Sequence, residues 1–348
     1  MRSIIAMRRL YPALQEHRLV EAETRRLLEQ TLEPRYLVPA GPAPGMLKYA
    51  QRNFFSTLFL AIYKAVGIDR ERRLFYGVLN HAIRGIVTGT DNLLDDEYKE
   101  MLPLRFPAEA TRFKSVMHIL LFDRFLFQAV DEARERGLVS REQGQRINRE
   151  IFTAMVPIGE EEATEEGGVR QVLPPEEILA SVHMYKGGNL LRLAFVAPLL
   201  IEASLREPLA KADRGIYGIG MALQVIDDLT DFYDDLRDRR HNYLVSSVQH
   251  EGSAAERGRL DQLLRGENSA QSPIDRAFAE SASRVMQRAI GEALDGFDRL
   301  HEAGFWLTRP RALELIRYLF RLRGVGHLLR LLPADARFTE NLDVRHAA

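Results

Sequence analysis

The 348-residue chain contains no cysteine and a single tryptophan. Without cysteine there is no disulfide framework, no thiolate nucleophile and no thiolate-bound zinc. An excess of one charge sign is also missing. With 48 basic and 49 acidic residues the formal net charge is −1, which excludes the basic footprint of a nucleic-acid binder. Long hydrophobic runs are absent too. The most apolar stretches, GGNLLRLAFVAPLLIEASL and VMHILLFDRFLFQAV, carry Arg192 and the pair Asp123–Arg124 inside them, and neither offers the roughly 18–20 clean apolar residues of a membrane span. The start, MRSIIAMRRLYPALQEHR, is too charged for a secretory signal. The expectation is a soluble, cytoplasmic protein without an integral membrane span.

What is present is helical. Hydrophobic residues make up 46% of the chain, ample for a sizeable core. In YPALQEHRLVEAETRRLLEQ, RRLFYGVLNHAIRGIVTG and RALELIRYLFRLRGVGHLLRLL they recur every three or four positions. Alternating β-branched runs are missing, so the expected class is all-α, with roughly ten helices. Loops are expected at 39–45, 159–175 and 266–273, where glycine, proline and charge interrupt the pattern. The expected organisation is one domain over 1–348. In it residues 1–45 form a peripheral helix and loop, and the acidic loop at 159–175 is internal.

Two acidic stretches stand out against this background. TDNLLDDEYKE, at 90–100, follows the apolar run LNHAIRGIVTG, and LQVIDDLTDFYDD lies at 223–235. On a helix Asp91 and Asp95 share a face, as do Asp227, Asp231 and Asp235. Like charges this close stay ionised only with a cation between them or bulk water around them. Carboxylates without nearby histidine or cysteine suit a hard ion such as Mg²⁺, which shares its shell with water and substrate phosphate. A solvated helix end is the plainer reading of either stretch alone.

Between them, HMYKGGNLL places Lys186 before two glycines in mid-helix, each costing about 1 kcal/mol relative to alanine. That cost points to a kink or a close approach by another element. Lys186 reads as a snorkelling lysine or a phosphate ligand. Arg240, with Arg237 and Arg239, and the late pair Arg317–Tyr318 are further candidate anion contacts.

These residues resemble the trans-isoprenyl diphosphate synthases, the polyprenyl synthetase family. TDNLLDDE is similar to that family's first aspartate-rich motif, D-D-x-x-D-D, with Asn92 for the second aspartate. LQVIDDLTD is similar to the second, F-Q-x-x-D-D-x-x-D, with Leu223 for the aromatic, and YKGGNLL resembles the K-T-x-x-L-F segment. The resemblance covers about residues 45–250. It implies a single bundle of ten or more helices around a deep apolar cavity, with the acidic stretches facing each other across its mouth. Asp91, Asp95, Asp227, Asp231 and Asp235 would then bind Mg²⁺, and Lys186, Arg240, Arg317 and Tyr318 the diphosphate of an allylic prenyl substrate.

Two departures shape the expected chemistry. Where the family holds isopentenyl diphosphate with G-K-R-x-R-P, this chain has QRNFFS and keeps Arg52. Where an arginine pair follows the first motif, it has YKEML and offers Lys99. The expectation is therefore ionisation of one allylic diphosphate followed by cyclisation or rearrangement. The alternatives are chain elongation, head-to-head condensation of the squalene and phytoene synthase kind, and a non-catalytic helical partner. A di-iron bundle is excluded, since none of the nine histidines follows a glutamate by three positions. In the resembled family the tail pocket lies one turn before the first aspartate. Here Ala82, Ile86 and Val87 with Gly85 and Gly89 leave it free of aromatics. Each buried CH₂ adds about 0.8 kcal/mol, which favours tails of about fifteen carbons or more. A homodimer is left open.

Overall fold

The structure is a computed structural model that describes residues 2–39, 41, 45–94, 98–267, 272–322 and 324–332. Among them there is no strand, only an isolated bridge between Leu37 and Leu104, so the all-α class holds. Among the described residues no single helix is long and apolar enough to cross a membrane. Only the bent pair Pro175–Ile201 and Ala203–Thr230 reaches that composition jointly. The helices fall into two compact units.

The first unit is built from Met7–Thr153 and Leu193–Leu209. It holds α1 (Arg2–Thr31) almost entirely, α2 (Met46–Arg52), α3 (Phe54–Ala65), α4 (Arg70–Leu94) and α5 (Thr111–Glu135). The helix expected at the periphery, α1, buries Leu10, Ala13, His17, Val20 and Leu27 at helical spacing. The Glu16 carboxylate on this helix takes two hydrogen bonds from Arg73 of α4, at 3.0 and 2.5 Å, with both residues buried. Asp69 caps α4 by accepting from the Arg72 amide. Phe75, Tyr76, Leu79, Ala82 and Ile83 then face the core beside Phe122, Phe125 and Phe195.

The second unit is built from Ala154–Arg192 and the chain after Leu209. It contains the end of α6 (Arg141–Thr164), then α7 (Pro175–Ile178) running into an eleven-residue π-helix, Leu179–Asn189, and the start of α8 (Leu190–Ile201). α9 (Arg206–Thr230), α10 (Phe232–Asp238), α11 (Tyr243–Glu251) and α12 (Ala254–Leu264) follow. α13 (Ile274–Ala277), α14 (Ala279–Glu302) and α15 (Arg309–Leu322) close the unit. α14 shows why such sequences fold. Ala282, Val285, Met286, Ala289, Ile290, Leu294 and Phe297 form one buried stripe. Buried Glu256 accepts from the Glu280 and Ser281 amides that the helix start leaves unpaired. One expectation changes. Residues 159–164 are not loop but the last turns of α6, because glutamate and alanine are good helix formers and their side-chain charge is met by a lysine described below.

Candidate active site

In the first unit, α4 delivers Asp91 half-buried in its last turn. Asp95, expected beside it, lies outside the described residues. Val87 precedes Asp91 by four positions, so the two share a face, and Ile86 and Val87 are half-buried while Ala82 is in the core. The two glycines serve a different face. A Cβ on Gly85 would lie 2.1 Å from the Phe122 ring, and one on Gly89 2.8 Å from Ile119, so they let α5 pack closely against α4. Asn92 has a structural reason for replacing an aspartate. Its buried amide accepts from the Lys99 N–H at 2.9 Å and donates to the Lys99 carbonyl at 3.1 Å. A carboxylate makes only the first of these bonds.

In the second unit the expected stripe is preserved through a helix break. α9 ends at Thr230 and α10 begins at Phe232, yet the Asp231 amide donates to the Asp227 carbonyl and the Asp235 amide to the Asp231 carbonyl, both at 2.8 Å. Asp227 is half-buried and Asp231 exposed. Burial pushes the Asp235 carboxyl up to about 7, with Asp228 and Asp231 adding to the rise against a hydrogen bond from Asn242 and the charge of Arg240. Buried Asn242 does more than this. It donates to the Asp228 carbonyl and caps α11 by accepting from Leu244 and Val245. Crowded hard oxygens with one carboxyl pushed toward its neutral form are the donor set a divalent cation suits. Among the described residues no group of three or more acidic or histidine side chains is arranged to hold a metal ion.

The π-helix carrying Lys186 is fastened to this stretch. Its Gly187 lies against α9 so closely that a Cβ would be 2.5 Å from the Gly220 carbonyl, and one on Gly188 2.4 Å from the Tyr217 ring. The glycine pair is therefore a close approach between two elements. One turn before Lys186, His183 Nε2 is 2.8 Å from Asp228 Oδ2, both fully or nearly buried. Lys186 itself, its side chain 11% exposed, pairs with Glu162 at 2.8 Å and Glu165 at 2.9 Å. Burial alone would pull its ammonium down, yet the two glutamates outweigh it and hold the group above the ordinary lysine value. It is no snorkelling surface lysine. Arg240 is half-buried and its charge acts on Asp235. Arg317 is exposed and Tyr318 half-buried on α15.

Sequence reading missed a further feature of the first unit. A cavity of about 330 Å³ is lined by Arg25 from α1, Arg52 from α2 and Arg84 from α4, with Glu21, Glu100, Asn53, Tyr49 and His81 among its other walls. Arg84 donates to Asn53 Oδ1 and to the Arg52 carbonyl, each at 3.0 Å, and Arg52 donates to the Glu100 carbonyl at 2.9 Å. These acceptors are neutral, and burial, with Arg52 nearby, holds Arg84 below the ordinary arginine value. Arg25 is already paired with Glu29 at 2.5 Å, which leaves Arg52 and Arg84 as the cations this lining offers an anion.

No protein-family model and no curated protein matches the sequence. Solved structures do. A decaprenyl diphosphate synthase from Rhodobacter capsulatus is 17% identical, with a TM-score of 0.60 over 92% of this chain and 99% of its own. A geranylgeranyl pyrophosphate synthetase from Pyrococcus horikoshii Ot3 is 16% identical, with a TM-score of 0.59 over 92% and 98%. A polyprenyl synthase from Caulobacter crescentus CB15, complexed with calcium and isoprenyl diphosphate, is 15% identical, with a TM-score of 0.55 over 90% and 97%. With its all-α build, the chain has the fold of the prenyl diphosphate synthases.

Proposed function

We propose that the protein is a Mg²⁺-dependent prenyltransferase that joins an allylic prenyl diphosphate to isopentenyl diphosphate. The observation that carries this reading is the arginine-lined cavity of the first unit. Loss of the linear basic motif favours cyclisation only while no other cations replace it. Arg84, brought beside Arg52 by a helix distant in sequence, supplies that replacement and moves the weight to elongation. The named activities of the structural neighbours point the same way, and calcium with isoprenyl diphosphate in one of them suits carboxylates of the kind found here.

In this reading both aspartate-rich stretches serve the diphosphate. Asp91 and Asp95 act from one, and Asp227, Asp231 and Asp235 from the other. These carboxylates would hold Mg²⁺, which when bound would neutralise charge on the departing diphosphate. Lys186 and Arg240 donate to its oxygens, with Arg317 and Tyr318 as outer contacts. Ile86 and Val87 line the apolar path for the prenyl tail and keep water from the allylic cation. Arg52 and Arg84 hold the second diphosphate. A homodimer belongs to the same reading. Phe113, Val116, Leu120 and Phe127 are exposed on α5, and at helical spacing they form one stripe that a symmetry-related copy can cover.

The test is kinetic. Arg52→Gln and Arg84→Gln raise KM for isopentenyl diphosphate about tenfold or more, while KM for the allylic substrate stays put. Unchanged KM for both substrates removes the cavity from the reaction.

A further inference from the structure

Lys186 is a cation that the sequence marks for an anion, yet two carboxylates already occupy it. Glu165 is the more buried partner, its side chain 7% exposed, and Glu162 is 32% exposed. The local charge does not balance. One ammonium faces two carboxylates, and Glu161 joins them, its carboxyl pushed up by burial despite Lys186, with Glu165, Glu162 and Glu160 adding to the rise. Glu165 Oε1 is buried without a hydrogen-bond partner among the described residues. A pairing meant only to stabilise a lysine needs one carboxylate and leaves no buried oxygen unpaired.

A glycine pair bounds this segment. Directly after it, Gly167 and Gly168 adopt φ of +84° and +85°, which other residues rarely take. Beyond them the Val169 amide donates to the Arg239 carbonyl at 2.7 Å, which ties the far side of the glycine pair to the end of α10. The glycine turn thus lies between the end of α6 and a point fixed to α10.

We propose that Glu162 and Glu165 are internal stand-ins for the substrate's diphosphate, occupying Lys186 until a diphosphate displaces them. This rests on the reading of Lys186 as a diphosphate contact. The stand-ins keep a buried ammonium charged and aimed before substrate arrives, and their release opens the last turn of α6. The cost is affinity, since two anions compete with the incoming one.

Calorimetric titration of the full chain with inorganic diphosphate and Mg²⁺ tests this. The Glu162→Gln/Glu165→Gln double variant binds about tenfold more tightly than wild type, and the gain disappears when Lys186→Gln is added. In wild type, the same titration raises amide exchange in residues 160–166. Unchanged or weaker binding by the double variant, or exchange that does not rise, overturns the stand-in role and leaves the proposed function intact. Absence of diphosphate binding in wild type and every variant overturns both.

Discussion

His183 Nε2 and Asp228 Oδ2 meet at 2.8 Å across 45 positions of sequence, in a place solvent does not reach. The same carboxylate accepts from the Tyr243 amide at 2.6 Å and, more loosely, from Gln224 at 3.3 Å. This one side chain joins the π-helix that carries Lys186 to the helix end that carries Asp227.

Removing the imidazole therefore has two effects. His183→Leu leaves a buried carboxylate short of a partner, costing about 1–3 kcal/mol. It also loosens Lys186 relative to Asp227. Asp228→Asn, which keeps the shape and an acceptor, costs less. Urea unfolding of both variants checks the order, and equal stabilities contradict the assignment.

Asp91→Ala, Asp227→Ala and Asp231→Ala each reduce Mg²⁺-dependent diphosphate release about a hundredfold or more. Stability without ligand holds or rises, because like-charge crowding is relieved. Circular dichroism melts beside turnover measurements decide it. A variant that unfolds without ligand has lost a structural group.

Gly85 and Val87 are near neighbours on α4 with opposite expected roles. Gly85→Ala drives a methyl into the Phe122 ring and destabilises by about 1–3 kcal/mol through overpacking, with most of the loss recovered when Phe122→Leu is added. Val87→Phe leaves stability nearly unchanged and shifts preference from long prenyl tails to the shorter geranyl diphosphate. The same length profile in Val87→Phe and wild type removes the tail path from this face.

Stability also depends on pH through the buried neighbours His17 and His81, whose ring centroids are 5.8 Å apart. Burial, aided by Arg84, pulls His17 down to about 4, and burial, aided by His17 and Arg84, pulls His81 to about 3. The unfolded chain protonates both near 6.5, so below that pH it binds more protons than the native state. Their contribution to stability is therefore complete above about pH 6.5 and is lost as pH falls toward about 4 for His17 and about 3 for His81. The slope approaches about 1.4 kcal/mol per pH unit for each histidine. His81→Gln makes the slope shallower. Equal urea midpoints at pH 5 and pH 7 in wild type contradict this.

Why some features were legible in the sequence and others were not follows from distance along the chain. Asp91 behind Ile83, Ile86 and Val87, and Asp227 behind Val225 and Ile226, are local patterns that helical spacing alone exposes. The glycines after Lys186 signalled a close approach correctly, although only the packed α9 shows what approaches. Glu165 does lie in the turn beyond α6, but Glu162 reads as loop only because charge and the following glycines resemble a linker, and the lysine that answers that charge lies some two dozen positions on. The arginine cavity was invisible for the same reason. A search for one basic motif finds Arg52 and misses Arg25 and Arg84, which only the assembly of three helices brings to the same walls.

The central claim is chain elongation, and product mass tests it most directly. The protein is incubated with farnesyl or geranylgeranyl diphosphate, isopentenyl diphosphate and Mg²⁺, and its products are weighed by mass spectrometry. The expected result is prenyl diphosphates lengthened by whole isoprene units, with one diphosphate released for each unit added. Diphosphate release with a hydrocarbon product and isopentenyl diphosphate unconsumed would contradict elongation in favour of cyclisation, and no release at all would contradict catalysis.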